Sequence, residues 1–230
     1  MLRLLAIEAA TETCSVALYQ DGEIIERFEH APRRHAALLL PWVEAMTAEA
    51  GISLMQLDAI AFGRGPGSFT GLRIAAGVTQ GLAFGAGVPV VPVSTLAALA
   101  RGAHEASGHA NILAALDARM QEVYWGAYRF DADGHAVPAG GEQVCKPDAV
   151  MVPDGEGWFG AGSGWESYGD TLSTRCGLAA TACLPDWQPH AADVARLAVI
   201  QYEAGQTVPP EQASPIYLRD NVADKPKPKV

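Results

Sequence analysis

A single joint, Gly63-Arg64-Gly65-Pro66-Gly67-Ser68-Phe69-Thr70-Gly71-Leu72-Arg73, connects an apolar run at residues 59–62 to a helical pattern at residues 70–86. The apolar run is typical of a buried strand, and the joint favours a sharp turn in which the glycine after the proline takes a positive φ. Ser68 or Thr70 is expected to cap the helix, whose free amides favour an anion. The spacing fits neither a Walker loop nor the dinucleotide fingerprint. The stretch predicts a strand-to-helix turn in an α/β protein, and a structural turn and an anion site both remain open.

The helix after the joint carries two rows of residues spaced by four. One row is Gly77, Gly81 and Gly85, and the adjacent row is Ile74, Val78 and Leu82. Each glycine lowers helix stability by roughly 1 kcal/mol relative to alanine, so the row indicates that another backbone approaches closely. Two neighbours remain open, namely this protein's own sheet and a helix of another chain. Arg73 and Gln80 interrupt the apolar run, which argues against a helix pair in a membrane.

A second helix is predicted at residues 34–50, where apolar residues occupy an unusually wide surface. One stripe is Leu39, Val43, Met46 and Ala50, and a second is Leu38, Trp42 and Ala45. Pro41 lacks an amide hydrogen and is expected to start or kink the helix. The width leaves two interpretations open: a deeply buried helix, or a helix shared between the core and a partner protein.

Composition and charge limit the class of protein. The chain has 230 residues, of which 49% are hydrophobic, and suits one large domain or two small ones. Its formal net charge of -10, from 26 acidic and 16 basic residues, argues against independent binding to nucleic acid or to an anionic membrane. Four cysteines without a C-x-x-C pair fit a reducing compartment. We expect no signal peptide, no membrane span and a cytoplasmic location.

The same order of predicted strands occurs in both halves of the chain. Strands are expected at residues 2–9, 14–20, 23–29, 59–62, 88–93, 111–116 and 122–130. Asp21-Gly22 and Asp133-Gly134 are hairpin signals after the second strand of each half. Gly102 and Gly108 mark a boundary between the halves, which places a domain division near residue 103 and gives domains 1–103 and 104–230. Further expectations are helices at residues 94–104 and 191–204, a linker or turn at residues 158–164, and a basic tail at residues 225–229.

No arrangement of side chains predicts an active site. The six histidines include no H-x-x-x-H pair, so a metal site has no support. Ser68 lies outside a G-x-S-x-G spacing and is better interpreted as a helix cap than as a nucleophile. Asp117 and Glu122 are candidates for an acid–base pair, although a turn cap at Asp117 and a solvated Glu122 are favoured. We therefore expect no catalytic residue, metal or cofactor.

Several segments resemble one known family. They are residues 5–11 with 15–18, residues 65–73, residues 117–119, residues 122–124 and residues 217–219. Together they span the chain and are similar to the TsaB (YeaZ) family, for which the Gly-Pro-Gly-Ser-Phe-Thr-Gly segment is specific. The resemblance implies an actin/Hsp70/sugar-kinase (ASKHA) fold, with two related α/β domains and a reduced second domain. Glu8 is a small departure, because many members carry Asp there.

The resemblance also implies a non-catalytic role. TsaB-like proteins are partners of the paralogue TsaD, and with the ATPase TsaE they transfer threonylcarbamoyl to adenosine 37 of tRNA. TsaD-like proteins hold a metal through paired histidines on the helix that corresponds to residues 34–50. Here His35 stands alone, because Leu39 occupies the position four residues on. This departure removes the metal site and favours a scaffold that meets tRNA only through the complex.

The partner interface implied by the resemblance is a bundle of the first two helices of each protein. Carried over to residues 34–50 and 70–86, it comprises His35, Leu39, Trp42, Val43, Met46, Ile74, Gly77, Val78, Gly81 and Gly85. Without TsaD the same surface allows a homodimer. Two other functions stay open: an M22 glycoprotease-like metallopeptidase, which needs a metal pair, and an ASKHA-type ATPase, in which the turn at residues 11–13 would contact a phosphate.

We predict that the isolated chain binds tRNA weakly, because a net charge of -10 opposes the phosphate contacts that dominate such binding. Fluorescence anisotropy at physiological salt measures the affinity, and a deletion of residues 225–230 tests the basic tail separately. Tight binding by the isolated chain would contradict the prediction.

Overall fold

The computed structural model describes residues 1–131 and 134–219. The strands are β1 (Arg3–Glu8), β2 (Thr13–Gln20), β3 (Glu23–His30), β4 (Ala59–Gly63), β5 (Val90–Val93), β6 (Asn111–Asp117), β7 (Val123–Phe130), β8 (Ala136–Pro138), β9 (Gln143–Cys145), β10 (Trp158–Ala161) and β11 (Cys183–Leu184). The helices are α1 (His35–Glu49), α2 (Phe69–Ala86), α3 (Thr95–Ser107), α4 (Ser163–Cys176) and α5 (Ala191–Glu203). The helices predicted at residues 34–50, 70–86, 94–104 and 191–204 are confirmed.

Two mixed sheets with the same strand order form the framework. The first sheet has the order β3-β2-β1-β4-β5, and the second has the order β8-β7-β6-β10-β11, with β9 also paired to β7. In each sheet the first three strands of that order are antiparallel, and the next two follow in parallel. The strand repeat predicted from the sequence is confirmed, and the fold class is α/β.

Helices cover both faces of each sheet, because successive side chains of a strand point in opposite directions. In β1, Leu5 and Ile7 pack in the cluster that contains α1 and α2, whereas Leu4 and Ala6 pack with α5. The second sheet repeats this arrangement with α3 on one face and α4 on the other. Helix α5 follows the second sheet in the chain but packs on the first sheet. The domain division near residue 103 stays a prediction.

The segment that follows β1 lies directly against the joint. Ser68 N donates to Ala10 O at 2.7 Å, and a Cβ added at Gly67 would lie 2.4 Å from the same oxygen. A Cβ added at Gly71 would lie 2.0 Å from Ala9 O. Both glycines are therefore required for the close approach of two backbone segments.

The local geometry of the joint corrects one expectation. The positive φ, +102°, occurs at Gly65 before the proline and not at Gly67 after it. Gly67 is needed for the space that it leaves rather than for its φ. Ser68 accepts a hydrogen bond from Gly71 N at 3.4 Å, so the predicted hydroxyl cap is confirmed at Ser68 and not at Thr70.

The linker predicted at residues 158–164 is wrong, because these residues contain β10 and the start of α4. Their glycines reflect close packing: a Cβ added at Gly160 would lie 2.4 Å from Cε2 of the Trp165 ring, and one at Gly164 would lie 2.7 Å from Ala115 Cβ. A glycine-rich segment therefore marks the contact between a helix and a sheet.

Two other expectations concern Pro41 and the tail. Pro41 does not start α1, which begins six residues earlier at His35 and continues through the proline. The Asp133-Gly134 turn lies partly outside the described residues, and the basic tail at residues 225–229 lies wholly outside them.

We predict opposite effects of alanine at two glycines of α2. Gly71→Ala would place its Cβ against a backbone oxygen and should lower the free energy of unfolding by on the order of 3 kcal/mol. Gly81→Ala would meet no atom within 4 Å and should raise it by about 1 kcal/mol, because alanine is the better helix former. Urea unfolding of the isolated variants measures both changes, and equal effects at the two sites would contradict the packing described here.

Candidate functional site

The glycine row of α2 lies on the surface of the chain. Gly77, Gly81 and Gly85 are exposed, and a Cβ added at any of them would find no atom within 4 Å. The core side of α2 is formed instead by small residues such as Ala75 and Ala83. Close packing of the row against this protein's own sheet is therefore excluded.

Apolar side chains border the glycine row on both sides. Ile74, Val78 and Leu82 are half-buried and pack against the first core cluster. On the other side of the row, Phe84 is 81% exposed. We call the surface formed by these residues with Gly77, Gly81 and Gly85 the glycine face. It is a strip of helix surface without side chains, bordered by apolar side chains that are still partly accessible to water.

Three of the α1 residues assigned to a partner interface are buried within the chain. Leu39, Val43 and Met46 are 0%, 2% and 1% exposed, because this stripe of α1 packs onto the first sheet. They have no surface left to bury against a second protein. Trp42 is half-buried, and Leu40, which the sequence analysis did not select, is 50% exposed. Leu40 lies outside both apolar stripes, so periodicity gave no reason to choose it.

The side chain of His35 is also buried within the protein. It is 7% exposed, and its Nε2 lies 3.1 Å from both Thr11 O and Thr13 O. A protonated Nε2 donates to these carbonyls and ties the polar turn between β1 and β2 to the start of α1. His35 is therefore a structural residue of the chain, with little surface to offer a partner.

A cleft of about 1160 Å³ lies between the two halves of the chain. It is lined by residues 10–12, which follow β1, and by residues 117–119 at the end of β6. Arg119 Nη2 reaches across it to Glu12 Oε1 at 3.4 Å. Asp117 Oδ1 accepts a hydrogen bond from Arg119 N at 2.8 Å, which confirms the predicted turn cap. Glu122 stays partly exposed to solvent, with 32% of its side chain accessible, and its carboxylate also forms an ion pair with Arg219. Both candidate carboxylates thus already have partners within the chain.

Glu8 is a buried carboxyl that the sequence analysis did not select for a role. Its Oε1 accepts from Ala10 N at 2.7 Å, and its Oε2 accepts from Thr95 Oγ1 at 3.1 Å. Burial raises the pKa of Glu8 from 4.5 to about 7, although these hydrogen bonds act in the opposite direction. The side chain is 1% exposed and does not line the cleft, so it joins β1 to the start of α3.

Residues 1–131 and 134–219 contain neither a cluster of metal ligands nor a helix suited to a membrane. No group of three or more His, Cys, Asp and Glu side chains is placed to hold a metal ion. No helix in this part of the chain has both the length and the apolar character needed to cross a membrane.

Comparison with known proteins assigns the chain to a class and then to a family. The family model described as TsaD, tRNA N6-adenosine threonylcarbamoyltransferase, matches residues 27–161 and indicates a protein with a TsaD-type domain. The "tRNA threonylcarbamoyladenosine biosynthesis protein TsaB" of Escherichia coli is 44% identical to this chain, over 99% of both chains. The protein of the same name from Haemophilus influenzae is 39% identical, over 99% of this chain and 98% of its own length. The structure of YeaZ from Pseudomonas aeruginosa superposes with a TM-score of 0.88 at 47% identity, covering 95% of this chain and all of that one. The chain belongs to the TsaB (YeaZ) family.

We predict that Glu8 makes stability depend on pH. Its pKa is near 7 in the folded state and 4.5 as the ordinary value, so it opposes folding increasingly as the pH rises from about 4.5 to about 7. Glu8→Gln resembles the protonated carboxyl and keeps an acceptor for Ala10 N. It should stabilise the fold by roughly 1–3 kcal/mol above pH 7 and by almost nothing below pH 4.5. Thermal unfolding across this range measures the difference, and parallel curves for the two proteins would contradict it.

Proposed function

We propose that this protein is a non-catalytic subunit that binds a TsaD-like paralogue and supports transfer of threonylcarbamoyl to adenosine 37 of tRNA. The observation that carries the proposal is the exposed glycine face of α2. The names of the E. coli and H. influenzae relatives support the assignment to threonylcarbamoyladenosine biosynthesis.

Three exposed glycines lower the stability of α2 by roughly 1 kcal/mol each, and nothing within the described residues packs onto them. A partner helix changes this balance, because its backbone can approach the bare surface closely and gain dispersion contacts along it. The bordering Ile74, Val78 and Phe84 side chains then lose their exposed area to the partner, which adds hydrophobic stabilisation.

The proposed interface differs from the one implied by the resemblance. It keeps Trp42, Ile74, Val78 and the three glycines, omits the buried stripe of α1, and adds the exposed Phe84. In the absence of the partner the same face would support a homodimer, because a C2 dimer uses one self-complementary patch.

Two observations favour a supporting role over catalysis. The turn at residues 11–13, which an ASKHA-type ATPase would use to contact a phosphate, places the carboxylate of Glu12 in the cleft, where it pairs with Arg119. The ring of His35 is engaged by two backbone carbonyls, whereas the metallopeptidase needs it as a metal ligand. We further propose that the chain has the ASKHA-type fold that its two matching sheets suggest, and that it works in the cytoplasm. A TsaE-like ATPase and tRNA would be reached only through the complex.

The test is a bulky residue in the middle of the glycine face. Gly81→Leu should leave the isolated chain folded and at least as stable as the wild type, because the site is open. Binding to the TsaD-like partner should weaken by several kcal/mol, since the side chain holds the two helices apart. Isothermal titration calorimetry measures the affinity, and a threonylcarbamoyl transfer assay with both proteins reports the consequence.

The matched control is Gly169→Leu. Gly169 lies in α4, and a Cβ there also meets no atom within 4 Å. This variant should bind the partner like the wild type. Unchanged affinity of Gly81→Leu, or equal losses for both variants, would refute the proposed interface.

A further inference from the structure

An arginine that stacks on one aromatic ring and hydrogen-bonds to the hydroxyl of another lies at the N-terminal end of the glycine face. The Cζ atom of Arg73 is 3.8 Å from the centroid of the Phe69 ring, and its Nε donates to Tyr217 Oη at 3.2 Å. The Phe69 and Tyr217 rings are 5.3 Å apart and remain 49% and 40% exposed. We call these three residues the Arg73 cluster. It holds a guanidinium group in one orientation at the surface.

Arg73 differs from six of the twelve arginines of this acidic chain. Arg27, Arg34, Arg101, Arg119, Arg196 and Arg219 each form an ion pair with a carboxylate. Within residues 1–131 and 134–219 no carboxylate pairs with Arg73, and its only hydrogen bond there leaves the two terminal nitrogens without an acceptor. Those nitrogens present the planar fork that suits a carboxylate.

The position of Arg73 makes it part of the same surface as the glycines. It precedes Gly77 by four residues, so the spacing of Gly77, Gly81 and Gly85 continues without a break to Arg73. A partner helix lying along the glycine face would therefore contact the guanidinium group of Arg73 at the N-terminal end of that face.

The aromatic support comes from a distant part of the chain. Tyr217 belongs to the segment at residues 213–219, which lies against α2 and the joint. Gln80 Nε2 donates to Ala213 O at 3.0 Å, and Ile216 N donates to Arg64 O at 2.8 Å. These bonds fix the Tyr217 ring beside Arg73 before any partner arrives. Preorganisation of this kind reduces the side-chain entropy lost on binding.

We propose that the Arg73 cluster receives a carboxylate side chain of the TsaD-like partner and so fixes the position of that partner along the glycine face. The proposal rests on the proposed function, because it assumes that the partner docks on α2. Exposed arginine and aromatic side chains are the types that contribute most at protein interfaces.

The test compares three variants by calorimetric titration with the TsaD-like partner. Arg73→Gln should weaken binding roughly 10- to 100-fold. Arg73→Glu should weaken it roughly tenfold further, because it places a second carboxylate opposite the first. Tyr217→Phe keeps the ring but removes the hydroxyl that receives the Arg73 hydrogen bond, and it should weaken binding roughly two- to tenfold. All three positions are on the surface, so thermal unfolding should show folded proteins.

The control is Arg129→Gln. Arg129 is also exposed and lies over an aromatic ring, with its Cζ 5.5 Å from the Trp158 centroid, but it is in β7, away from α2. Its loss should leave binding unchanged. Wild-type affinity of Arg73→Gln beside a weakened Gly81→Leu would overturn the role of the Arg73 cluster while leaving the proposed function intact. Equal losses for Arg73→Gln and Arg73→Glu would overturn the carboxylate as its target. Failure of the wild-type chain to bind the partner would refute the proposed function itself.

Discussion

The fold depends on the absence of side chains where the end of β1 meets the joint between β4 and α2. Ala9 O and Ala10 O occupy the space that a Cβ at Gly71 or Gly67 would take. This contact fixes the direction in which α2 leaves the sheet, and therefore which side of α2 faces the core. The orientation of the glycine face follows from it, because a helix anchored at its first turn cannot rotate independently about its axis.

Glycines serve two different purposes within the same helix. Gly71 is buried and allows the backbone of the β1 end to come close, whereas Gly81 is exposed and has open space above it. The first use stabilises the monomer directly. The second lowers the stability of α2, and the proposed contact with a second chain would offset this loss. An exposed glycine row flanked by apolar side chains thus lowers the stability of the monomer and leaves a surface that a second backbone can approach closely.

Local sequence signals predicted the elements well, and the residues that face the core less well. The Asp21-Gly22 hairpin, the joint and the α2 pattern each depend on residues close together in the chain, so the sequence contains the information. The orientation of α1 was not predictable from spacing, because both of its stripes are apolar and only contact with the first sheet distinguishes them. The glycines at residues 160 and 164 were misleading for a related reason. Their role is to admit Trp165 and Ala115, in a contact between a helix and a sheet that spacing along the chain does not reveal.

The same holds for the candidate site: patterns of nearby residues were predictable from the sequence, and contacts between distant residues were not. The glycine row and its exposed neighbours were visible as a pattern, but the sequence left open whether the row faced inwards or outwards. Glu8 and the Arg73 cluster were missed, since each depends on residues far away in the chain, such as Thr95 and Tyr217.

The packing of α5 on the first sheet has a consequence for the newly made protein. One face of β1 and β4 is covered by Val194, Ala195 and Ala198, which belong to the last helix of the described chain. As the polypeptide emerges from the ribosome, all the strands of the first sheet are complete long before that helix exists. The nascent first half therefore exposes an apolar sheet face to the cellular environment until residues 191–203 are translated. Vectorial synthesis thus delays completion of the first core until the strands of the second sheet have also been made.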